Sequence, residues 1–193
     1  MFSFFDLRHT SFGWPAIQRV SVFFVLLLGL SACSTTPPDG MTAVTPFDIH
    51  RYAGKWYEIA RLDHAFERGL SDVNATYRLQ ADGSVEVINR GYDSHKGDWR
   101  QAIGRALFIG ESDRASLKVS FFWPFYGGYH VVALDQQNYR WAMVVGPDRD
   151  YFWILAKDKH LAADRREQLL SRVKALGFDA QKLIWVEQTR NDG

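Results

Sequence analysis

Cys33 is the only thiol of the chain, and it follows Leu30-Ser31-Ala32 at the end of a short apolar run. A cysteine so placed is either a buried or free thiol or the nucleophile that takes an acyl group where a leader is cut. Its surroundings favour the second chemistry. Arg8 and Arg19 precede an uninterrupted stretch of apolar and small residues from Val20 to Leu30, and small residues stand before the cut, which is the layout of a secretory signal. That stretch falls short of the about 20 apolar residues a membrane span needs. Asp63-His64 with Glu67 could make an acid–base site if folding assembled them, although their spacing does not demand it. The sequence has no Gly-x-Ser-x-Gly elbow, and its six histidines are too scattered to suggest a metal site.

Leu30-Ser31-Ala32-Cys33 resembles the lipobox of bacterial lipoproteins, in which the cysteine takes a diacylglyceryl group and becomes the acylated first residue. The resemblance implies that residues 1–32 are a removed signal peptide whose true start lies downstream of Met1. It further implies that Ser34, standing where an Asp favours inner-membrane retention, sends the protein to the outer membrane as a lipid-anchored domain. Residues 33–45 then form the acylated cysteine and a tether rich in Ser, Thr, Pro and Gly, expected to be flexible. With its one thiol acylated, the exported chain has no intramolecular disulfide and rests on packing alone.

Losing Arg8, Arg19 and Asp6 with the leader takes the formal charge from +1 to zero. No basic excess is left to neutralise phosphates, so a nucleic-acid partner is excluded. Seven Trp, eight Tyr and fourteen Phe are more large rings than a domain of this size needs to fill a core.

These residues need a scaffold, and the pattern from Trp56 onward supplies strands. Val73, Ala75, Tyr77 and Leu79 alternate with polar residues, Asp82-Gly83 makes a hairpin turn, and Val85, Val87 and Asn89 alternate on the return. Further strands are expected at Trp99 to Phe108, Ala115 to Phe122, Tyr129 to Asp135, Tyr139 to Val145, Tyr151 to Leu155 and Leu183 to Glu187. One helix is expected, Leu161 to Leu176, with Leu169, Val173 and Leu176 on one stripe and Gly177 as its stop. Consecutive short strands with one late helix point to an all-β barrel or sandwich, between which periodicity does not choose.

Gly54-Lys55-Trp56-Tyr57-Glu58-Ile59-Ala60-Arg61, after Pro46-Phe47-Asp48 and Tyr52, resembles the Gly-x-Trp opening of a lipocalin. The likeness continues through His64 to Leu70, Phe121 to Tyr129, Gly146 to Asp150 and Ile184-Trp185-Val186. Over Pro46 to Gln188 the chain is similar to the bacterial outer-membrane lipocalins of the apolipoprotein D-like group. Two positions depart from that pattern: Leu134-Asp135-Gln136 replaces the second motif, and Lys157 stands where the third motif offers an Arg to pack on the opening Trp.

The resemblance implies an eight-stranded antiparallel up-and-down barrel with one C-terminal α-helix packed outside. Residues 46–188 form this domain and 189–193 a tail. It also implies an interior holding one small ligand. Alternation then places Val73, Ala75, Tyr77, Leu79, Val85, Val87, Asn89, Leu117, Val119, Phe121, Tyr129, Val131, Ala133, Ala142, Val144, Tyr151, Trp153 and Leu155 inward. Glu58 joins them, on the same alternation as Trp56 and Ala60, and Gly54, Trp56 and Lys157 form the floor. His130 alternates outward from Tyr129, against a haem ligand in the cavity. Phe66, Arg68, Trp123, Phe125, Tyr126 and Arg149 are placed at the mouth. There the rings offer a contact for lipid, membrane or a homodimer partner, and Arg68, Lys96 and Arg149 offer cations to an anionic head group. The implied ligand is an acyl lipid (fatty acid, lysophospholipid or phospholipid), stored or transported in envelope maintenance without a cofactor. A structural or adaptor lipoprotein, or a lipocalin-fold enzyme, is the alternative.

Overall fold

The computed structural model describes residues 34–191, so Cys33, expected to be acylated, and the expected leader lie outside the described residues. A four-residue helix α1 (Ile49–Tyr52) leads into eight strands. These are β1 (Gly54–Arg61), β2 (Leu70–Leu79), β3 (Val85–Asp93), β4 (Asp98–Phe108), β5 (Ser116–Phe122), β6 (Phe125–Leu134), β7 (Trp141–Val145) and β8 (Phe152–Ala156). Helix α2 (Ala163–Ala175), a 3₁₀ turn (Ala180–Lys182) and the two-residue strand β9 (Ile184–Trp185) complete the order. Consecutive strands from β1 to β8 pair antiparallel, and β1 also pairs with β8, which closes the barrel. The all-β, eight-stranded reading holds, with β9 as an addition on β1. Asp82-Gly83 makes the β2–β3 turn, Gly83 taking a φ of +80° that a side chain would resist.

Two cores follow from the alternation. Inside lie Trp56, Tyr77, Val85, Val87, Leu117, Val131, Ala142, Val144 and Leu155. Outside, Trp141, Met143, Val145, Phe152 and Ile154 meet Leu169 and Val173, the buried stripe of α2. Register shifts interrupt the ladders at four places, and two of them send side chains to the face opposite the simple alternation. Between Glu58 and Ala60 the register slips, so Ile59 and Ala60 both join the outer core, whereas Arg61 turns back to the Glu58 side. A second slip between Val131 and Ala133 sends Ala133 to the outer layer rather than inward. One extra residue flips every side chain beyond it, and apolar residues on both faces leave no periodic trace of the slip.

The stretch expected to be a flexible tether is docked on the barrel. Met41 and Ala43 are buried, Val44 donates to Val131 O and accepts from Ala115 N, and Gly128 N donates to Ser34 O at 2.9 Å. A composition rich in Ser, Thr, Pro and Gly hid three apolar anchors that the wall accepts.

The other end of the chain fills a seam. β1 pairs with β2 only from Gly54 to Tyr57, and residues 184–190 run into the space beyond. Val186 N donates to Ile59 O, Asp72 N to Glu187 O, and the buried Gln188 amide donates to both Glu58 O and Val73 O.

Candidate functional site

The lower half of the barrel is filled. Trp56 is fully buried, its indole N–H donates to Tyr52 O at 2.7 Å, and the Tyr52 ring stacks obliquely on it at 4.6 Å. Lys157 Nζ lies 4.3 Å from the Trp56 ring centre and donates to Ala53 O and Tyr52 O at the end of α1. Gly54, at φ +93°, passes beneath this ammonium. Lys157 thus serves as cation–π partner and as C-terminal cap for α1. Val131 and Ala142, placed inward by alternation and so expected to meet the ligand, are fully buried in this packed lower core and border none of the three interior cavities.

Space opens above it. A cavity of about 550 Å³ at the mouth is lined by Tyr77, Val87, Asn89, Val119, Phe121 and Tyr129, with Phe66, Phe122, Phe125, Tyr126, Pro147 and Tyr151 around its rim. A side lobe of about 260 Å³ shares Phe66 and Asn89 with it and reaches Arg100 and Gln101. Below, a pocket of about 40 Å³ touches Glu58, Glu67, Ala75, Val144, Trp153 and Leu155, room for a water or two. A larger groove, about 750 Å³, runs along the outer wall past Asp82, Glu86, Ile103, Arg105 and Trp123. The mouth cavity fits a ligand better than this groove because the barrel walls surround it and most of its lining is apolar.

Polar atoms are few and grouped. The Tyr129 hydroxyl lies 2.7 Å from that of Tyr52 and 2.8 Å from that of Tyr77, and burial pushes all three phenols well above the ordinary tyrosine range. They act as neutral donors and acceptors. Asn89 Oδ1 is buried without a hydrogen-bond partner among the described residues and borders all three interior spaces. A buried orphan acceptor costs about 1–3 kcal/mol, which a donor arriving with a ligand would relieve.

A second group lies on the wall beside the mouth. Arg61, buried, donates to Glu58 Oε1 at 2.7 Å and to Glu67 O at 2.9 Å, while Trp153 Nε1 donates to Glu67 Oε2 at 2.9 Å. His64 Nε2 stands 3.4 Å from the same Glu67 oxygen, and burial lowers its pKa and keeps the imidazole neutral. Burial first, then the charge of Glu67, raises Glu58 well above the usual carboxylate range, against the pull of Arg61. With Glu58 protonated, Arg61 and Glu67 balance, and the low-dielectric wall carries no net charge. The sign for stability follows. Glu58 titrates near 4.3 in the unfolded chain and higher in the fold, so the native state holds more protons in that window and loses stability as pH rises through it. Glu58→Gln, which mimics the protonated form, is expected to stabilise the domain increasingly from acid to neutral pH. Urea midpoints across that range check this, and a difference that stays flat would contradict it.

The acid–base set Asp63, His64 and Glu67 is not assembled. Asp63 points to solvent in an exposed pair with Arg68 at 3.0 Å, while His64 and Glu67 are turned inside. Arg68 is therefore already partnered. Arg149 is no head-group cation either: it donates to Leu176 O and Gly177 O, capping α2, and lies over the Phe178 ring. Trp123, 80 % exposed, borders the outer groove rather than the cavity. Alternation missed Arg61, because the β1 bulge redirects it. It also missed Arg100, which its pairing opposite Gly91 brings to the side lobe. An arginine closing the strand after apolar Ile59 and Ala60, three residues on from Glu58, was the available signal for Arg61. Among the described residues no His, Cys, Asp or Glu cluster could hold a metal ion.

Comparison with known proteins agrees with this geometry. The model of the lipocalin-like domain family matches residues 47–188. Outer membrane lipoprotein Blc of Escherichia coli K12 is 54 % identical over 175 residues, covering 90 % of this chain and 96 % of that protein. Apolipoprotein D of Macaca fascicularis is 31 % identical, covering 74 % of this chain and 77 % of its own length. Among solved structures, insecticyanin from the tobacco hornworm Manduca sexta superposes with a TM-score of 0.64 at 20 % identity, over 80 % of this chain and 87 % of that one. A closed antiparallel barrel, an outer helix, a Trp floored by a lysine and a family match spanning all of them agree: the chain belongs to the lipocalin family.

Proposed function

We propose that this protein is an acyl-lipid carrier of the outer membrane, anchored there through acylated Cys33. The observation that carries the reading is the mouth cavity of about 550 Å³. Its walls are apolar, and its few polar atoms, Asn89 Oδ1 and the Tyr77–Tyr129 hydroxyl pair, sit where a chain with a polar end would place that end. A hydroxyl or amide hydrogen at the polar end of an acyl lipid suits Asn89, whereas Arg100 at the side lobe, like Arg68, already faces a carboxylate, Asp93 at 3.6 Å. The lipoprotein signal and the name of the Blc relatives support the anchor and the outer-membrane address. Binding rather than catalysis is the reading, because the one candidate acid–base set is split between surface and interior.

Intact-mass spectrometry of the protein taken from membranes tests both parts at once. Acyl mass on Cys33 and a co-purifying fatty acid or lysophospholipid are expected. Phe121→Ala, which removes a ring from the cavity wall, should weaken displacement of a fluorescent fatty acid by about 1–3 kcal/mol, with circular dichroism unchanged. An unmodified N-terminus would remove the anchor. Failure to saturate with any acyl lipid would favour a ligand-free adaptor instead.

A further inference from the structure

The rings at the mouth and the start of the chain meet at one place. Phe122, Trp123 and Phe125 occupy the tip of the β5–β6 hairpin at 79, 80 and 64 % exposure. Phe66 on the neighbouring loop is 47 % exposed and lies against Phe121 at 5.4 Å between ring centres. Four large exposed rings at one rim exceed the scattered apolar residues of an ordinary surface. Ser34 is fastened to the β6 arm of this same hairpin, three residues from Phe125, through its carbonyl, which accepts from Gly128 N. A Cβ at position 128 would stand 3.3 Å from that carbonyl and 2.6 Å from His130 Nε2, so glycine leaves room for the chain to lie there. His130 is fully buried, and Ser116 Oγ, 2.9 Å from its Nδ1, holds the ring. Cys33 precedes Ser34 by one peptide, and consecutive Cα atoms lie about 3.8 Å apart. Ser34, the residue next to the expected anchor, therefore lies against the hairpin that carries the exposed rings and not on a free linker.

We propose that the barrel docks mouth-down on the bilayer that holds its anchor, with the Phe122–Phe125 hairpin tip immersed in the lipid interface and the cavity opening directly onto the membrane. The proposal rests on acylation of Cys33. A bilayer is the occupant because the acyl chains of the anchor must lie in one, and Ser34 ties them to the ringed rim. Trp123 is amphipathic, with an apolar body and one N–H, the side-chain type that settles at head-group depth. Phe122 and Phe125 both border the cavity, so a lipid leaving the interface passes from rings to cavity wall without crossing open water. Docking in this pose makes the bilayer, not the periplasmic solution, the immediate lipid source.

The acylated protein reconstituted into phosphatidylethanolamine–phosphatidylglycerol vesicles carrying brominated acyl chains tests the pose. Tryptophan fluorescence should be quenched, and the quenched component should disappear in Trp123→Phe, which keeps an apolar ring but removes the indole. Trp123→Glu should slow uptake of labelled lysophospholipid from the anchoring bilayer several-fold, with uptake of a soluble short-chain fatty acid unchanged, since Trp123 lies outside the cavity. Acyl mass on Cys33 and binding of the soluble fatty acid are measured on every preparation, so loss of either reports failure of the carrier reading rather than of the pose. Equal quenching in wild type and Trp123→Phe, or equal bilayer uptake in Trp123→Glu, overturns mouth-down docking. Dimers in detergent that Trp123→Glu dissolves, with no quenching in vesicles, would give the rings to a second copy and equally overturn it.

Discussion

Trp56→Ala is expected to destabilise the domain by about 3–5 kcal/mol, the scale of removing a fully buried indole from a packed core. The loss has three sources. The largest is the cavity left beside Tyr52 in the filled lower half of the barrel. Loss of the indole N–H bond leaves Tyr52 O with only the lysine, at 3.3 Å. Lys157 also loses the ring face beneath it. Lys157→Met separates the terms, since it keeps the stem but gives up the cation–π contact and both bonds to the end of α1. About 1–2 kcal/mol is expected from these, well short of the tryptophan. Burial pulls Lys157 down to about 8, so charging it already has a cost in the fold. The native state binds fewer protons than the unfolded chain between that value and the lysine range near 10.4. Stability from this group consequently rises with pH across the window, and Lys157→Met should flatten it. Urea denaturation of the three proteins from pH 7 to 10.5 decides the matter. A Trp56→Ala midpoint close to that of Lys157→Met would mean the floor is held by the cation and not by packing.

Legibility of the fold tracked the kind of signal each residue left. Alternation with turn glycines marked the strands closely, because period-two burial on one face is a direct imprint of the pleat. The outer stripe of α2 was readable for the same reason at period 3.6. Cavity walls were partly readable: Tyr77, Asn89, Val119, Phe121 and Tyr129 border the space, but alternation tells which way a side chain points and not how far up the barrel the filling stops. Val131 and Ala142 fell on the filled side of that line. Bulges erase the imprint, and so Arg61 and Ala133 changed faces unseen. Charged loop residues carried the least information. Arg68 and Arg149 look alike in the sequence, yet one meets a surface carboxylate and the other caps a helix.

The residue with the least sequence signal for its consequence is Asp72, an acidic side chain near the start of β2. It is 1 % exposed, sits at φ +52° and holds the C-terminal segment in the seam between β1 and β2. Its Oδ1 accepts from Thr189 N and Arg190 N at 2.6 Å, and its Oδ2 accepts from Ser71 Oγ at 2.7 Å and Arg190 Nη1 at 3.0 Å. Burial alone would raise this carboxyl, but the Arg190 and Thr189 backbone donors with the Ser71 and Arg190 side chains outweigh it and hold the pKa below the usual range. Asp72→Ala orphans two backbone N–H groups, at about 1–3 kcal/mol each when they stay buried, and asks alanine to adopt a left-handed backbone that Asp tolerates better. A loss of about 3–5 kcal/mol is expected, with residues 186–190 released and the Gln188 bridge to Glu58 and Val73 lost with them. Asp72→Asn keeps one acceptor oxygen and the backbone tolerance, so it should lose less. The pH dependence has the opposite sign to that of Glu58. A carboxyl lowered in the fold contributes stability above its unfolded pKa, near 3.9, and that contribution is lost as pH falls through the native value. Acid unfolding of wild type should therefore be steeper than that of Asp72→Ala, and hydrogen exchange should show Thr189 and Arg190 amides opening in the variant while β3–β6 stay protected. Unchanged protection of those two amides would mean that Gln188 and β9 hold the seam without Asp72.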